Sequence, residues 1–179
     1  MEGAEVETYF AALDEALTDQ PMKKPVRLVV VGGIYMVCFV KNRASTKDVD
    51  IVPLDFPDTM NPNQETKAFR AAVNVVAKKY GIKRDWMNDV VASFTPELDP
   101  NSVILWHDYP NLQVYVPHAE FILALKLLAG RERDEDDILA LSESLDITTR
   151  EQAQELVDRY AEKWWQKECS LEATLDALF

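Results

Sequence analysis

The chain has 179 residues, of which 47% are hydrophobic and 28% are charged. This length and composition favour one compact soluble protein with enough apolar side chains for a core. No apolar run approaches the roughly 18 to 20 residues that a membrane-spanning helix needs, and the acidic start MEGAEVETYF does not resemble a secretory signal. Cys38 and Cys169 are too few for a disulfide framework and are not spaced like metal ligands. We therefore expect a cytoplasmic protein.

The net charge of −12 is distributed unevenly along the chain. Residues 23–84 contain twelve Lys and Arg against five Asp and Glu, so this segment carries +7 and the remainder carries −19. A basic segment can receive an anionic ligand, whereas an acidic remainder disfavours binding to duplex DNA. The alternative is that both sets of charges are ordinary solvated surface.

The first half of the chain is predicted to mix helices and strands. Residues 5–17 have apolar positions at helical spacing, and the β-branched run 27–31 before Gly32-Gly33 is typical of a buried strand. Trp86 is expected to fill a gap in the core. The other elements predicted here are a short apolar helix over 34–40, a strand over 48–54, a helix over 65–80 capped by Gly81, and a hairpin of strands 102–106 and 112–116.

Only helices are predicted from residue 117 onward. Thr148 followed by Glu151 reads as a capping box that starts one helix running to about residue 165. The other predicted helices cover 119–130, 134–145 and 171–179. We therefore expect an α+β protein, in which a small mixed β-sheet with flanking helices (residues 1–116) is followed by a helical C-terminal region (117–179) packed on that core as one compact unit.

Asp48 and Asp50 stand at alternate positions of the second predicted strand. Residues two apart on a strand point to the same face, so the two carboxylates converge while Val49 points into the core. Convergent carboxylates suit a divalent cation such as Mg²⁺ or Mn²⁺, and a pair of solvated acids at a sheet edge is the alternative. The preceding Gly32-Gly33 turn lets backbone N–H groups approach a phosphate closely.

Two stretches carry a resemblance to a known family. Gly32-Gly33 followed by RASTKDVDI (residues 43–51) resembles the signature of the polymerase-beta-type nucleotidyltransferase fold. Farther along, KLLAGRERDEDDI (126–138) resembles the lysine, arginine and aspartate series on the helices that follow the sheet. The chain is thus similar to bacterial nucleotidyltransferase-like proteins of the abortive-infection toxin type and their uncharacterised relatives, over residues 27–160.

The resemblance implies a fold, an activity and a set of site residues. It implies the nucleotidyltransferase fold and an enzyme that binds a nucleoside triphosphate with Mg²⁺ or Mn²⁺ and transfers a nucleotide to a protein or RNA acceptor. The implied metal ligands are Asp48 and Asp50. The other implied residues are Gly32 and Gly33 around the triphosphate, Ser45 or Thr46 supporting it or orienting the aspartates, Arg43 and Lys126 as cations toward the phosphates, and Asp134 and Asp137, which would anchor Lys126 or Arg43 or touch the acceptor.

Two observations keep other interpretations open. Lys126 lies in the apolar run FILALKLLAG, where burying an unpaired ammonium costs several kcal/mol. A salt bridge to Asp134 or Asp50 is therefore the alternative to a phosphate contact. The family pattern also has a third carboxylate on a later strand, where LQVYV offers Gln113 and Tyr115, and Asp108 falls in the predicted hairpin loop. This departure supports a second hypothesis, a catalytically degenerate binding module such as an antitoxin-like partner protein.

Overall fold

A computed structural model describes residues 1–22, 25–57, 59–96, 98–99 and 102–179. Three charged residues of the basic segment, Lys23, Lys24 and Asp58, lie outside the described residues. The protein is α+β, with a five-stranded mixed sheet, flanking helices and a helical C-terminal part, as the sequence predicts. It divides into a sheet unit, formed by Met1–Thr95 with Asp99–Pro117, and a helical unit, formed by Pro96–Leu98 with His118–Phe179.

The sheet has the strand order β3-β2-β1-β5-β4. The central strand β1 pairs antiparallel with β2 and parallel with β5, while β4 and β5 form the predicted antiparallel hairpin. The short edge strand β3, which pairs parallel with β2, was not predicted from the sequence. The strands are β1 (Val26–Val31), β2 (Val49–Pro53), β3 (Met87–Asn88), β4 (Val103–Asp108) and β5 (Leu112–Pro117).

One face of the sheet carries the main hydrophobic core. Helix α1 (Gly3–Leu17) and helix α3 (Gln64–Tyr80) pack there against alternate residues of β1, of which Leu28 and Val30 are fully buried. Gly81 ends α3 in the left-handed conformation, which confirms the predicted cap. Trp86 is buried and donates its indole N–H to the Val73 carbonyl at 3.2 Å, so it fills the core as expected.

The helix that follows the Gly-Gly turn is irregular. It begins as helix α2 (Gly33–Tyr35) and continues as a π-helical turn over Met36–Val40, so the predicted helix is present with a wider second half. Lys41 ends it with a φ of 61°, donating its backbone N–H to the Met36 carbonyl at 2.7 Å. The chain then enters the loop that leads to β2.

The helical unit departs from the sequence prediction at one place. The single helix expected from Thr148 to about residue 165 is wrong, because the chain breaks after Asp158 and a new helix starts at Lys163. The buried Gln166 side chain donates to the Ala161 carbonyl at 2.7 Å and to Asp158 at 2.8 Å, which stabilises the break. The helices of this unit are α4 (Ala119–Ala129), α5 (Glu135–Ser144), α6 (Arg150–Asp158), α7 (Lys163–Glu168) and α8 (Leu171–Leu178).

Among the described residues, every helix is too short or too polar to cross a membrane.

Candidate functional site

The Gly-Gly turn at the end of β1 receives the side chain of Asp50. Asp50 of β2 pairs with Val31, the last residue of β1, and therefore lies beside the turn. Gly32 has a φ of +69°, and a Cβ on it would lie 2.5 Å from Asp50 Oδ2. The carboxylate thus occupies the space that the missing side chain leaves free. The turn and the strand fix the position of this acid together.

The second glycine of the turn receives Thr46 in the same way. A Cβ on Gly33 would lie 2.5 Å from Thr46 Oγ1, and this hydroxyl donates to the Asp48 carbonyl at 3.1 Å. The backbone N–H of Thr46 also donates to the Met1 carbonyl at 2.9 Å, so the loop is held from a second side. Both glycines that the resemblance assigns to a triphosphate therefore have a packing role within the chain itself.

Asp48 and Asp50 flank Val49, which is fully buried in the core as predicted. Asp48 precedes the first residue of β2 and Asp50 lies within the strand, and both are partly exposed. Within the described part of the chain, the Asp48 carboxylate has no hydrogen bond or ion pair. Its charge is therefore available to an external cation.

The loop before Asp48 contains the other residues of the sheet unit that the resemblance assigns to the site. Arg43 is partly exposed and Ser45 is exposed, both in the segment between the π-helical turn and β2. Two lysines of the same loop, Lys41 and Lys47, are exposed and have no ion pair among the residues that the structure describes. The loop thus places cationic side chains beside the two aspartates in the sequence.

Strand β5 contributes polar groups to the sheet face that carries Asp50. Tyr115 pairs with Val29, and the β1 register puts both on the same face as Asp50. The Tyr115 hydroxyl donates to Gln113 Oε1 at 3.1 Å, and Gln113 Nε2 donates to Asp108 at 2.9 Å. Asp108 is the last residue of β4 and not part of the hairpin loop, which corrects the sequence prediction. Its carboxylate is engaged by the amide.

Lys126 of the helical unit is held by two carboxylates. Its Nζ lies 3.0 Å from Asp134 Oδ1 and 2.6 Å from Asp137 Oδ2, and only 7% of the Lys126 surface is exposed. Gly130 ends α4 in the left-handed conformation and turns the chain, so that the start of α5 returns to Lys126. The salt bridge that the sequence left as an alternative is therefore present; Asp134 is a partner as proposed, and Asp137 rather than Asp50 is the second.

A divalent cation fits the chemistry of the aspartate pair. Mg²⁺ prefers oxygen ligands, and proteins often bind it through one or two carboxylates together with water and substrate phosphates. Asp48 and Asp50 carry carboxylates, and Gly32 fixes the position of the second. Among the described residues there is no cluster of three or more His, Cys, Asp or Glu side chains that could hold a metal ion alone.

We compared the chain with protein-family models, with curated proteins and with solved structures. None of the three comparisons gave a match.

Two features of the sheet unit were not predicted from the sequence. Arg27 of β1 forms a bidentate ion pair with Asp55, in which Nη2 of the arginine lies 2.6 Å from Oδ1 of the aspartate. The hydrogen bond from Arg27 to Asp55 raises the pKa of the guanidinium. The isolated Arg27 in an otherwise β-branched run was the available signal. A row of aromatic rings that joins Phe39 to Trp106 gave no signal, because its members come from separate segments of the chain.

Proposed function

We propose that this protein is a nucleotidyltransferase of the polymerase-beta-type fold, which binds a nucleoside triphosphate with Mg²⁺ and transfers a nucleotide to a protein or RNA acceptor. The observation that carries the proposal is the contact between the Gly-Gly turn after β1 and the carboxylate of Asp50 on the neighbouring strand. It supports the proposal because the turn that would bind phosphates lies next to an acid that would bind the metal.

The charges at this place favour a metal-bound nucleotide over a bare anion. A carboxylate against the Gly32 turn repels a polyphosphate that approaches the same backbone. Mg²⁺ held by Asp50 would supply positive charge that offsets this repulsion. The Asp48 carboxylate, which has no partner among the described residues, adds a second negative ligand.

Each side chain of the site has a definite part in this proposal. Asp48 and Asp50 hold Mg²⁺, which when bound supplies activation of the attacking hydroxyl and charge neutralisation for the departing pyrophosphate. Gly32 keeps Asp50 in place, and Thr46 fixes the backbone of Asp48 through its hydroxyl. Arg43 and Ser45 stand in the loop that would face the triphosphate.

Lys126 has a different part from the one that the resemblance implies. To reach a phosphate, its ammonium would have to leave Asp134 or Asp137, and the abandoned carboxylate would stay buried. The two ion pairs therefore favour a structural role for Lys126 within the helical unit.

Isothermal titration of the protein with ATP, CTP, GTP and UTP, each with and without Mg²⁺, tests the proposal. We expect at least one nucleotide to bind only with the metal, and Asp48→Asn or Asp50→Asn to abolish this binding. Asp19→Asn is the matched control, because Asp19 is an exposed aspartate of the same unit with no ion pair among the described residues. If no nucleotide binds, or if the two site variants bind like wild type, the proposal is wrong.

The hydrogen-bonded group on β5 favours a second candidate function, a binding module without catalysis. Tyr115 and Gln113 stand on the Asp50 face and bond to each other, and the nearby Asp108 bonds to Gln113. The family pattern has a third carboxylate at this position of the sheet, whereas here Gln113 occupies the strand and binds the nearby Asp108. A second metal ion would therefore be held weakly. Transfer of label from an α-labelled nucleotide to RNA or protein by the isolated chain would exclude this candidate. Metal-dependent binding without transfer would support it.

A further inference from the structure

A row of aromatic side chains runs across the sheet unit beside the loop of the proposed site. Phe39, at the end of the π-helical turn, stacks on Tyr35 with ring centroids 5.0 Å apart and an interplanar angle of 27°. Its other neighbour is Trp106 of β4, at 5.0 Å and 67°. The row, which we call the aromatic row, continues from Trp106 to His107 and Tyr109.

An irregularity in β4 places Trp106 in this row. The pairing of β4 with β5 shifts between Leu105 and His107, so Trp106 is the extra residue of a β-bulge. Bulges redirect side chains, and here the indole packs against Phe39 and, edge-on at 5.7 Å, against Phe10 of the core. Phe39 is thus held by rings on two sides, yet 40% of its surface is exposed.

The charges along the aromatic row are asymmetric. The segment that follows Phe39, KNRASTK (41–47), contains three cations and no acid, and its two lysines are exposed. At the opposite end, the carboxylate of Glu7 lies 4.0 Å from His107 Nε2. A ligand that stacks on Phe39 therefore has a cationic loop on one side and an acid farther along the row.

We infer that Phe39 is a stacking platform for a base of a single-stranded nucleic acid, whose phosphates are bound by Lys41 and Lys47. An aromatic residue that is 40% exposed and is followed by a segment with exposed cationic side chains matches the alternation of base and phosphate along a strand. A duplex hides its base faces, so the platform selects single strands. The inference rests on the proposed function and deepens it, because it makes RNA rather than protein the acceptor.

Fluorescence anisotropy with a labelled RNA strand of about a dozen nucleotides tests the platform. We expect wild type to bind this strand more tightly than the matching duplex. Phe39→Ala and Phe39→Leu should each weaken binding about tenfold, whereas Phe39→Tyr should keep it. The slope of log affinity against log salt is negative, and Lys41→Ala and Lys47→Ala should each reduce its magnitude by about 0.7, which is the contribution of one phosphate contact to a single strand.

Control variants distinguish a specific role of Phe39 and the two lysines from the general effect of removing an exposed side chain. Phe179, with 38% of its surface exposed, gives the control Phe179→Ala, and the exposed Lys78 of α3 gives Lys78→Ala. Both should bind RNA like wild type. The platform is excluded if wild type binds no RNA, if it prefers the duplex, or if Phe179→Ala weakens binding as much as Phe39→Ala. Equal affinity of the wild type for the RNA strand and for a single DNA strand of the same sequence would overturn the assignment of RNA as acceptor.

Nucleotide titration distinguishes the failure of this inference from the failure of the proposed function. Phe39→Ala should bind the metal-bound nucleotide like wild type, whereas Asp50→Asn should lose this binding. Nucleotide binding without RNA binding overturns the platform alone. RNA binding that depends on Phe39 without any nucleotide binding supports the platform and overturns the proposed function.

Discussion

The Asp50 carboxylate fills the space in which a side chain on Gly32 would lie, since Oδ2 of Asp50 is 2.5 Å from the position of a Cβ on Gly32. Gly32→Ala therefore has two costs, a backbone at φ +69° and ψ −141° that is essentially restricted to glycine, and a collision with Asp50. The backbone alone costs about 1–3 kcal/mol, and the displaced carboxylate adds to this. We expect the free energy of unfolding in urea to fall by more than the backbone cost, together with loss of nucleotide binding.

Gly81→Ala is the control for a positive φ without a collision, at a ψ of 28° instead of −141°. Gly81 has a similar φ of +66°, and a Cβ there would meet nothing within 4 Å. This variant should lose only about 1–2 kcal/mol and should bind nucleotide like wild type. If Gly32→Ala is no less stable than Gly81→Ala, the contact with Asp50 has no energetic weight.

The elements that the sequence predicted well have strong local patterns. The β-branched run before Gly32 predicts β1, and the left-handed residue Gly81 marks the end of α3. Strand β3 was missed because Met87 and Asn88 are too few to show an alternating pattern, and they pair only because Asp50 and Val49 lie beside them. Local periodicity thus predicts long elements, while short edge strands depend on tertiary contacts.

The candidate site was only partly predictable for the same reason. The spacing of Asp48 and Asp50 shows that they flank one buried residue, but their contact with the Gly-Gly turn depends on the register between β1 and β2. The partners of Lys126 were left open because a turn at Gly130 decides which acids return to it. Sequence patterns name the residues, whereas strand register and turns decide which of them meet.

Lys126→Met should destabilise the helical unit strongly. It removes the ammonium from Asp134 and Asp137, of which Asp137 is fully buried, and retains the length of the side chain. Breaking a buried ion pair on one side costs about 3–5 kcal/mol because a buried charge loses its counter-ion. Urea unfolding followed by circular dichroism measures this loss.

Lys163→Met is the control for the buried pair. Lys163 lies 2.6 Å from Asp158, which is as close as Lys126 to Asp137, but 70% of its side chain is exposed. The exposed pair should contribute less than about 1 kcal/mol. Adding Asp137→Asn to Lys126→Met should recover part of the lost stability. Equal effects of the two lysine variants would contradict the importance of burial here.

Thr149→Ala should destabilise helix α6 more than Thr148→Ala does. The sequence pattern points to Thr148 as the cap, but in the structure the Thr149 hydroxyl accepts the Gln152 backbone N–H at 3.3 Å. The Gln152 side chain accepts the N–H of Thr149 in return, which completes a capping box. Loss of the cap should cost about 1 kcal/mol in thermal or urea unfolding. A larger effect of Thr148→Ala would restore the sequence interpretation.

His107 should make the protein less stable in mild acid. Its Nε2 is buried without a hydrogen bond among the described residues, and burial lowers the pKa of the imidazole from its ordinary 6.5, against the opposing charge of Glu7. The unfolded state therefore takes up this proton first, so stability is retained above pH 6.5 and falls as the pH decreases toward the folded pKa. We expect His107→Phe, which keeps the ring packing, to lose less stability than wild type between about pH 7.5 and about pH 5 in urea titrations. His118→Gln, at an exposed histidine, should follow the wild-type curve, and a His107→Phe curve parallel to wild type would show that His107 is not responsible.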